Sequence, residues 1–231
     1  GPELSWIVEF RVANEPLKYN AAVAADTGEV FYANNIVKKA RYNVYPLPSM
    51  SPLETTESIV VDPADSLTSP FGWHDTNGVA GSEFTDTRGN NIFAQMGEVG
   101  VGLPVVTSRP DGGAGHDFLL QHDPVMPANN PDNIDFAAQQ AFYYGNITHD
   151  VLARYGFDEG AGNFQATNYS GLFGGGDQMV INVYDADAIC NAYYVPSPDG
   201  TIGIIEMGFC GNTVPSRDSS LDASVLIHEY A

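Results

Sequence analysis

The chain has 231 residues, a length that suits one large domain or two small lobes. Its 43% apolar content excludes a disordered acidic tail, although 29 acidic residues stand against 9 basic ones for a formal net charge of −20. So few Lys and Arg exclude a phosphate-binding face for nucleic acid, and no run of about 18 apolar residues exists to cross a membrane.

Residues 1–39 read as a small antiparallel piece. Ser5 to Val12 mixes apolar, aromatic and β-branched residues, as a strand does, and Ala21–Ala25 runs into the turn signal Asp26-Thr27-Gly28. Glu29-Val30-Phe31-Tyr32 then reads as a returning strand. The segment ends at Lys38-Lys39, either a solvated turn or a dibasic processing site. From 41 to 130, Pro46, Pro48, Pro52, Pro63, Pro70 and the glycines up to Gly112-Gly113 allow only short strands and long loops. The period changes at Pro131-Asp132-Asn133, a helix start. Ala137, Ala141, Tyr144, Thr148, Val151, Leu152 and Tyr155 then recur at three- and four-residue steps, with Gly156 as the stop. His149 on this helix reads as a hydrogen-bonded structural histidine rather than a ligand.

Strand character returns at Gln178–Tyr184, Ala192–Val195 and Ile202–Met207, with a turn at Ser197-Pro198-Asp199-Gly200. Cys190 and Cys210, the chain's 2 cysteines, flank the last two of these strands. A bridge between them would close a loop of about 20 residues, worth roughly 3 kcal/mol by chain entropy, and two free thiols are the alternative. Asn146-Ile147-Thr148 and Asn168-Tyr169-Ser170 are glycosylation sequons that fit a secreted chain. The start, Gly1-Pro2-Glu3-Leu4, lacks the basic and apolar regions of a signal peptide, so a secreted form would have lost its front. The acidic Asp75, Asp86, Asp123, Asp185 and Asp187 read as solvated loop carboxylates, since no calcium-loop spacing joins them.

The chain closes on a helical pattern. Ser219 and Asp222 have capping-box spacing, and Leu221, Val225 and Leu226 give a buried face. His228-Glu229 therefore lies on the second or third turn. His228-Glu229-Tyr230-Ala231 is the first part of H-E-x-x-H, in which two histidines one turn apart bind zinc and the glutamate takes the proton of a metal-bound water. Half a motif also describes an ordinary histidine beside a glutamate.

From about residue 40 the chain resembles the fungalysin family, secreted zinc endopeptidases related to thermolysin. The likeness is carried, in the family's order, by Ser69-Pro70-Phe71-Gly72-Trp73-His74-Asp75, Gly89–Gln95, Tyr143–Leu152, Arg154–Glu159, Gly175-Gly176-Asp177-Gln178, Asn191–Tyr194 and Leu226–Ala231. The resemblance implies an α+β fold: the mostly antiparallel β N-terminal lobe of a two-lobed thermolysin-like metallopeptidase (40–217), with a long helix and the start of the central active-site helix (218–231). Residues 1–39 resemble the tail of the family's propeptide, which favours Lys38-Lys39 as a maturation boundary. The resemblance makes His228 a zinc ligand, Glu229 the catalytic base and Asn191-Ala192-Tyr193 the edge segment that holds an extended peptide substrate, although a turn role is open to Asn191. One protein ligand cannot hold a catalytic zinc, which takes three plus water. The isolated chain is therefore expected to be inactive, with a C-terminal lobe supplied elsewhere. A truncated peptide-binding or inhibitory and folding module is the competing reading.

Overall fold

The computed structural model describes residues 4–11, 18–35, 39–79, 81–98 and 105–231. Lys38, half of the dibasic pair, lies outside the described residues.

The first three strands, β1 (Ser5–Arg11), β2 (Lys18–Ala24) and β3 (Val30–Asn35), form an antiparallel sheet in the order β1-β2-β3. Gly28, at φ 73°, supplies the left-handed step that lets β3 return on β2. No strand of this sheet pairs with a strand of the remainder among the described residues.

The body is built from β4 (Arg41–Val44), β5 (Ser58–Val61), β6 (Ile92–Glu98), β7 (Val105–Ser108) and β8 (Asp117–Phe118), then the helix α1 (Pro131–Arg154). After it come β9 (Met179–Asp185), β10 (Ala192–Val195), β11 (Ile204–Cys210), β12 (Arg217–Asp218) and the helix α2 (Ala223–Tyr230). The main sheet runs β10-β11-β9-β6-β7, with β12 on β11, and a smaller sheet runs β5-β4-β8. Antiparallel pairs predominate, but β6–β9, β9–β11 and β4–β8 are parallel. Parallel neighbours need a long crossover, and α1 supplies one between β6 and β9.

Asn130 caps α1 by accepting from the backbone N–H of Asp132 and Asn133, and Pro131 fills the first turn, where its missing N–H costs nothing. The expected stripe is buried through Ala137, Ala141, Tyr144 and Thr148, but Val151 and Tyr155 emerge, 48% and 88% exposed. The helix instead buries almost every face from Ile134 to Asp150, because it runs between the main sheet and the β4 strand. On a buried face Gln140 brackets Tyr45, accepting from its N–H (2.9 Å) and donating to its carbonyl (3.1 Å). Gly145 lets α1 lie close on the sheet: a Cβ there would stand 2.9 Å from Ile92 and Ile181.

The core comprises Ile92, Ala94, Met179, Ile181, Val183, Ile205 and Met207 from one sheet face, Tyr42 and Val44 from β4, and Leu226 and Tyr230 from α2. The start of α2 differs from the capping box read in the sequence. Ser219–Leu221 forms a separate 3-10 turn capped by Asp218, and Asp222 itself caps α2 by accepting from the Ser224 N–H. Aspartate at this position both accepts that bond and complements the positive end of the helix.

Candidate active site

Ala223, Leu226 and Tyr230 fix which way α2 faces, since all three are buried. At about 100° per residue, His228 then points opposite to Leu226 and Glu229 lies on the flank between them. His228 is accordingly exposed and Glu229 half-buried.

The other four histidines are committed to the interior. His74, 4% exposed, sits between Tyr42 and the Arg88 carbonyl: Nδ1–H donates to Arg88 O (2.9 Å), so Nε2 accepts from the Tyr42 hydroxyl (2.7 Å). Burial drives its pKa down to about 3, with His116 adding to the fall. His116 Nε2 donates to Phe84 O (3.0 Å), and His122 Nδ1 meets the Tyr45 hydroxyl (3.0 Å). His149 has both ring nitrogens engaged: Nδ1 donates to Asp150 Oδ1 (3.1 Å) and Nε2 accepts from the Asn163 amide (3.1 Å). It is the hydrogen-bonded structural histidine that its helical setting suggests.

The segment Asn191-Ala192-Tyr193 opens β10, which is the end strand of the main sheet. The Asn191 carbonyl accepts from the Gly208 N–H (3.0 Å), while its own N–H closes a turn on Ala188 O (3.0 Å). Asn191 thus ends a turn and begins the ladder to β11. In antiparallel alternation Tyr193 and Val195 also address β11, opposite Glu206 and Ile204, which leaves the N–H and C=O of Ala192 and Tyr194 on the open edge. The ring of Phe164 joins this edge to α2, with its centroid 6.2 Å from Tyr194 and 5.6 Å from Tyr230. The helix that carries His228 and Glu229 therefore borders the free strand edge. Phe164 was not singled out by sequence reasoning; a lone aromatic in Gly162-Asn163-Phe164-Gln165 gives no period to read.

The Cys190 and Cys210 sulfurs are paired, with Cα atoms 4.3 Å apart, across the base of the β10–β11 hairpin. The sequons are placed less favourably. Asn146 is fully buried on α1, donating to Phe142 O (2.8 Å) and accepting from Asn91 (3.1 Å), so a glycan there is incompatible with the folded chain. Asn168 is 9% exposed and its amide donates to Leu172 O (3.3 Å) and Phe173 O (3.1 Å), which leaves no room for a sugar without breaking that loop. Lys39 is exposed and pairs with Asp62 at 3.6 Å.

Among the described residues no group of three His, Cys, Asp or Glu side chains is arranged to hold a metal ion. His228 offers one accessible imidazole donor with a carboxylate beside it, which matches one of the three protein ligands of a catalytic zinc.

Comparison with known families bears on this helix and edge. The profile of the fungalysin metallopeptidases matches residues 41–231. The chain belongs to the fungalysin family. It is 37% identical over 231 residues to the extracellular metalloproteinase MEP of Pyricularia oryzae. It is 34% identical over 230 residues to the extracellular metalloproteinase of Aspergillus flavus and 36% over 242 to that of Aspergillus terreus. Each alignment covers 98% of this chain and 35% of the relative, so the chain spans about a third of the length of the curated fungalysins it matches.

Proposed function

We propose that this chain is the N-terminal part of a secreted zinc endopeptidase, with His228 as a zinc ligand, Glu229 as the general base and β10 as the rail for an extended peptide. The observation that carries the reading is a difference among five histidines. Four are buried and hydrogen-bonded inside the fold, while His228 is exposed on the helix that borders an open strand edge, next to a carboxylate. The family membership and the relatives' name, extracellular metalloproteinase, support the same reading.

A zinc ion held by His228 and by ligands outside these residues would polarise the scissile carbonyl and acidify a bound water. The chain's own groups would do the rest. Ala192 and Tyr194 would pair their free N–H and C=O with the substrate backbone, holding it extended. The Glu229 carboxylate would accept a proton from the attacking water and deliver it to the leaving amide nitrogen. Residues 1–39 would be the tail of a propeptide released near Lys38-Lys39, and the Cys190–Cys210 bridge would hold the base of the substrate-binding hairpin in an oxidising compartment.

The test uses the full-length enzyme. Glu229→Gln should retain zinc and lose peptidase activity by roughly 100-fold or more, because the amide cannot take the proton. His228→Ala should lose zinc and activity together, measured by metal quantification on the purified protein. Full zinc occupancy in His228→Ala would refute the assignment.

A further inference from the structure

Behind the substrate edge, on the sheet face turned away from α1, lies a row of polar side chains that the proposed chemistry does not use. Gln95 on β6, Asn182 on β9, Glu206 on β11 and Tyr193 on β10 are successive partners across four neighbouring strands. The bonds run in one direction. Arg109 donates to Gln95 Oε1, Gln95 Nε2 donates to Asn182 Oδ1 (3.1 Å), and Asn182 Nδ2 donates to Glu206 Oε1 (2.8 Å). There the row stops: Glu206 has no solvent exposure, and its Oε2 is buried without a partner.

A second carboxyl is brought to the same face by a backbone irregularity. Between Asn182 and Asp185, β9 advances three residues while β11 advances two, from Glu206 to Gly208. This extra residue reverses the in–out alternation, so Asp185 joins the face of Asn182 and Glu206. Tyr184, inside the irregularity, takes φ 58°, a conformation that an aromatic residue adopts only when its surroundings impose it. Asp185 Oδ2 accepts from the Tyr193 hydroxyl at 3.3 Å. Tyr193, the edge-strand residue opposite Glu206, is thus tied to one carboxylate and lies against another carboxyl.

We propose that Glu206 is a proton-bearing positioning residue for the edge strand: as the neutral acid it closes the row beneath β10, and as the carboxylate it loosens the strand that offers Ala192 and Tyr194 to a peptide. A buried carboxyl with one hydrogen bond and one bare oxygen is a poor place for a charge. Burial is the main cause that pushes Glu206 up to about 7, against the Asn182 hydrogen bond and with Asp185 adding to the rise. The charged and titratable groups facing it are Asp185 on β9 and Tyr193 on β10, with Asp187, in the loop that follows β9, acting on Tyr193, while Arg109 stands at the far end of the row, beyond Gln95. On ionisation the new charge faces Asp185, while Arg109, the cation of the row, is separated from it by Gln95 and Asn182. The repulsion falls on the Tyr193–Asp185 contact, the side-chain anchor of a four-residue strand.

The inference rests on reading β10 as the substrate rail, but its test reads neither substrate nor zinc, so the two can fail separately. Amide hydrogen exchange of Tyr193 and Val195, the β10 residues whose N–H groups face β11, corrected for the intrinsic rate, is followed from about pH 5.5 to about pH 8. Protection in the unaltered protein should fall by about tenfold or more across the range, and in Glu206→Gln, which keeps the shape and cannot titrate, it should stay level. Asp185→Asn removes the negative charge facing Glu206 and the repulsion at the Tyr193 contact, so the fall should become smaller and move to lower pH. Parallel profiles for the unaltered protein and Glu206→Gln, or a fall in Asp185→Asn that does not move to lower pH, would overturn the proposal.

Discussion

Replacing Asp150 by asparagine should be one of the most damaging isosteric changes available in this chain. Asp150 is 4% exposed on α1 and its two oxygens accept from five donors. Oδ1 takes the Ser69 hydroxyl (2.6 Å), the Thr68 hydroxyl (3.0 Å) and His149 Nδ1 (3.1 Å). Oδ2 takes the Trp73 indole N–H (2.9 Å) and the Asp65 N–H (3.1 Å). An asparagine must turn an NH₂ towards one of these sets. Towards the first, the hydroxyls can rotate and accept, but the His149 N–H is stranded. Towards the second, the indole and backbone N–H groups are both stranded, and neither can rotate away. Each buried donor left unpaired costs about 1–3 kcal/mol, and weakening from charged to neutral acceptor adds to this, giving about 3–5 kcal/mol. At about 2–4 °C per kcal/mol for a chain of this size, Tm should fall by roughly 6–20 °C in calorimetry. The comparison variant is Arg154→Ala. Arg154 ties the same segment to α1 through Asp65 (2.8 Å), but as an exposed pair worth about 0–1 kcal/mol. If Asp150→Asn costs no more than Arg154→Ala, the idea that a satisfied buried carboxylate pins the 65–73 segment is wrong.

The pH dependence of stability should be the reverse of ordinary acid denaturation over the mildly acidic range. Burial raises Glu206 to about 7 and Asp75 and Asp218 to about 6, so the folded chain keeps protons that the unfolded chain has shed. Stability from these three is present at low pH and lost as pH rises through 6 to 7. His74, held to about 3, acts in the opposite sense, since the unfolded histidine gains a proton below about 6.5 and the buried one does not. Three acids outweigh His74 and His122, which burial also lowers, so stability should fall as pH rises above the unfolded carboxylate range and the thermal-stability optimum should lie near about pH 4; an optimum above neutrality would contradict the balance. Gly208→Ala should cost more than a helix-interior change of the same size, because the new Cβ would stand 1.6 Å from Ala188 O. Backbone must move and the Asn191–Gly208 bond at the start of β10 should break, visible as lost amide protection there. The native, non-reduced protein should show no titratable thiol if Cys190 and Cys210 are bridged, and two free thiols would refute the pairing.

Periodicity was enough to place α1, β9, β10 and β11, because each is bounded by turn formers and carries its own pattern: Pro131-Asp132-Asn133 at the start of α1, Ser197–Gly200 between the hairpin strands. The parallel order of the main sheet was not legible, since pairing across a crossover leaves no local signal. The end of the α1 stripe misled for a related reason. Tyr155 has the right spacing, but spacing says which face a residue shares and not whether another element covers it, and at 88% exposure none of the described residues does. The same limit applies to the sequons: Asn-x-Ser/Thr records a chemistry, while the burial of Asn146 depends on Asn91, far away in sequence. At Glu206 a signal was present, an acid inside the apolar run Ile202–Met207, and such an acid has to be read together with what stands opposite it on neighbouring strands.

The placement of His228 shows how much of a site can be decided by packing alone. Ala223, Leu226 and Tyr230 must face the core, since burying such side chains contributes most of the stability of an eight-residue helix that could not persist by itself. Once that face is fixed, helical geometry leaves His228 no choice but solvent and puts Glu229 a third of a turn away. Asp222 then sets where the helix begins, and Phe164 sets its distance from β10 by packing on Tyr230 and Tyr194 together. A histidine without an internal partner, a carboxylate beside it and an unpaired strand edge are each ordinary. Their adjacency is imposed by apolar side chains that take no part in the chemistry, which is why a cavity-forming change such as Phe164→Ala should disturb the alignment of α2 on β10 while leaving His228 and Glu229 themselves intact.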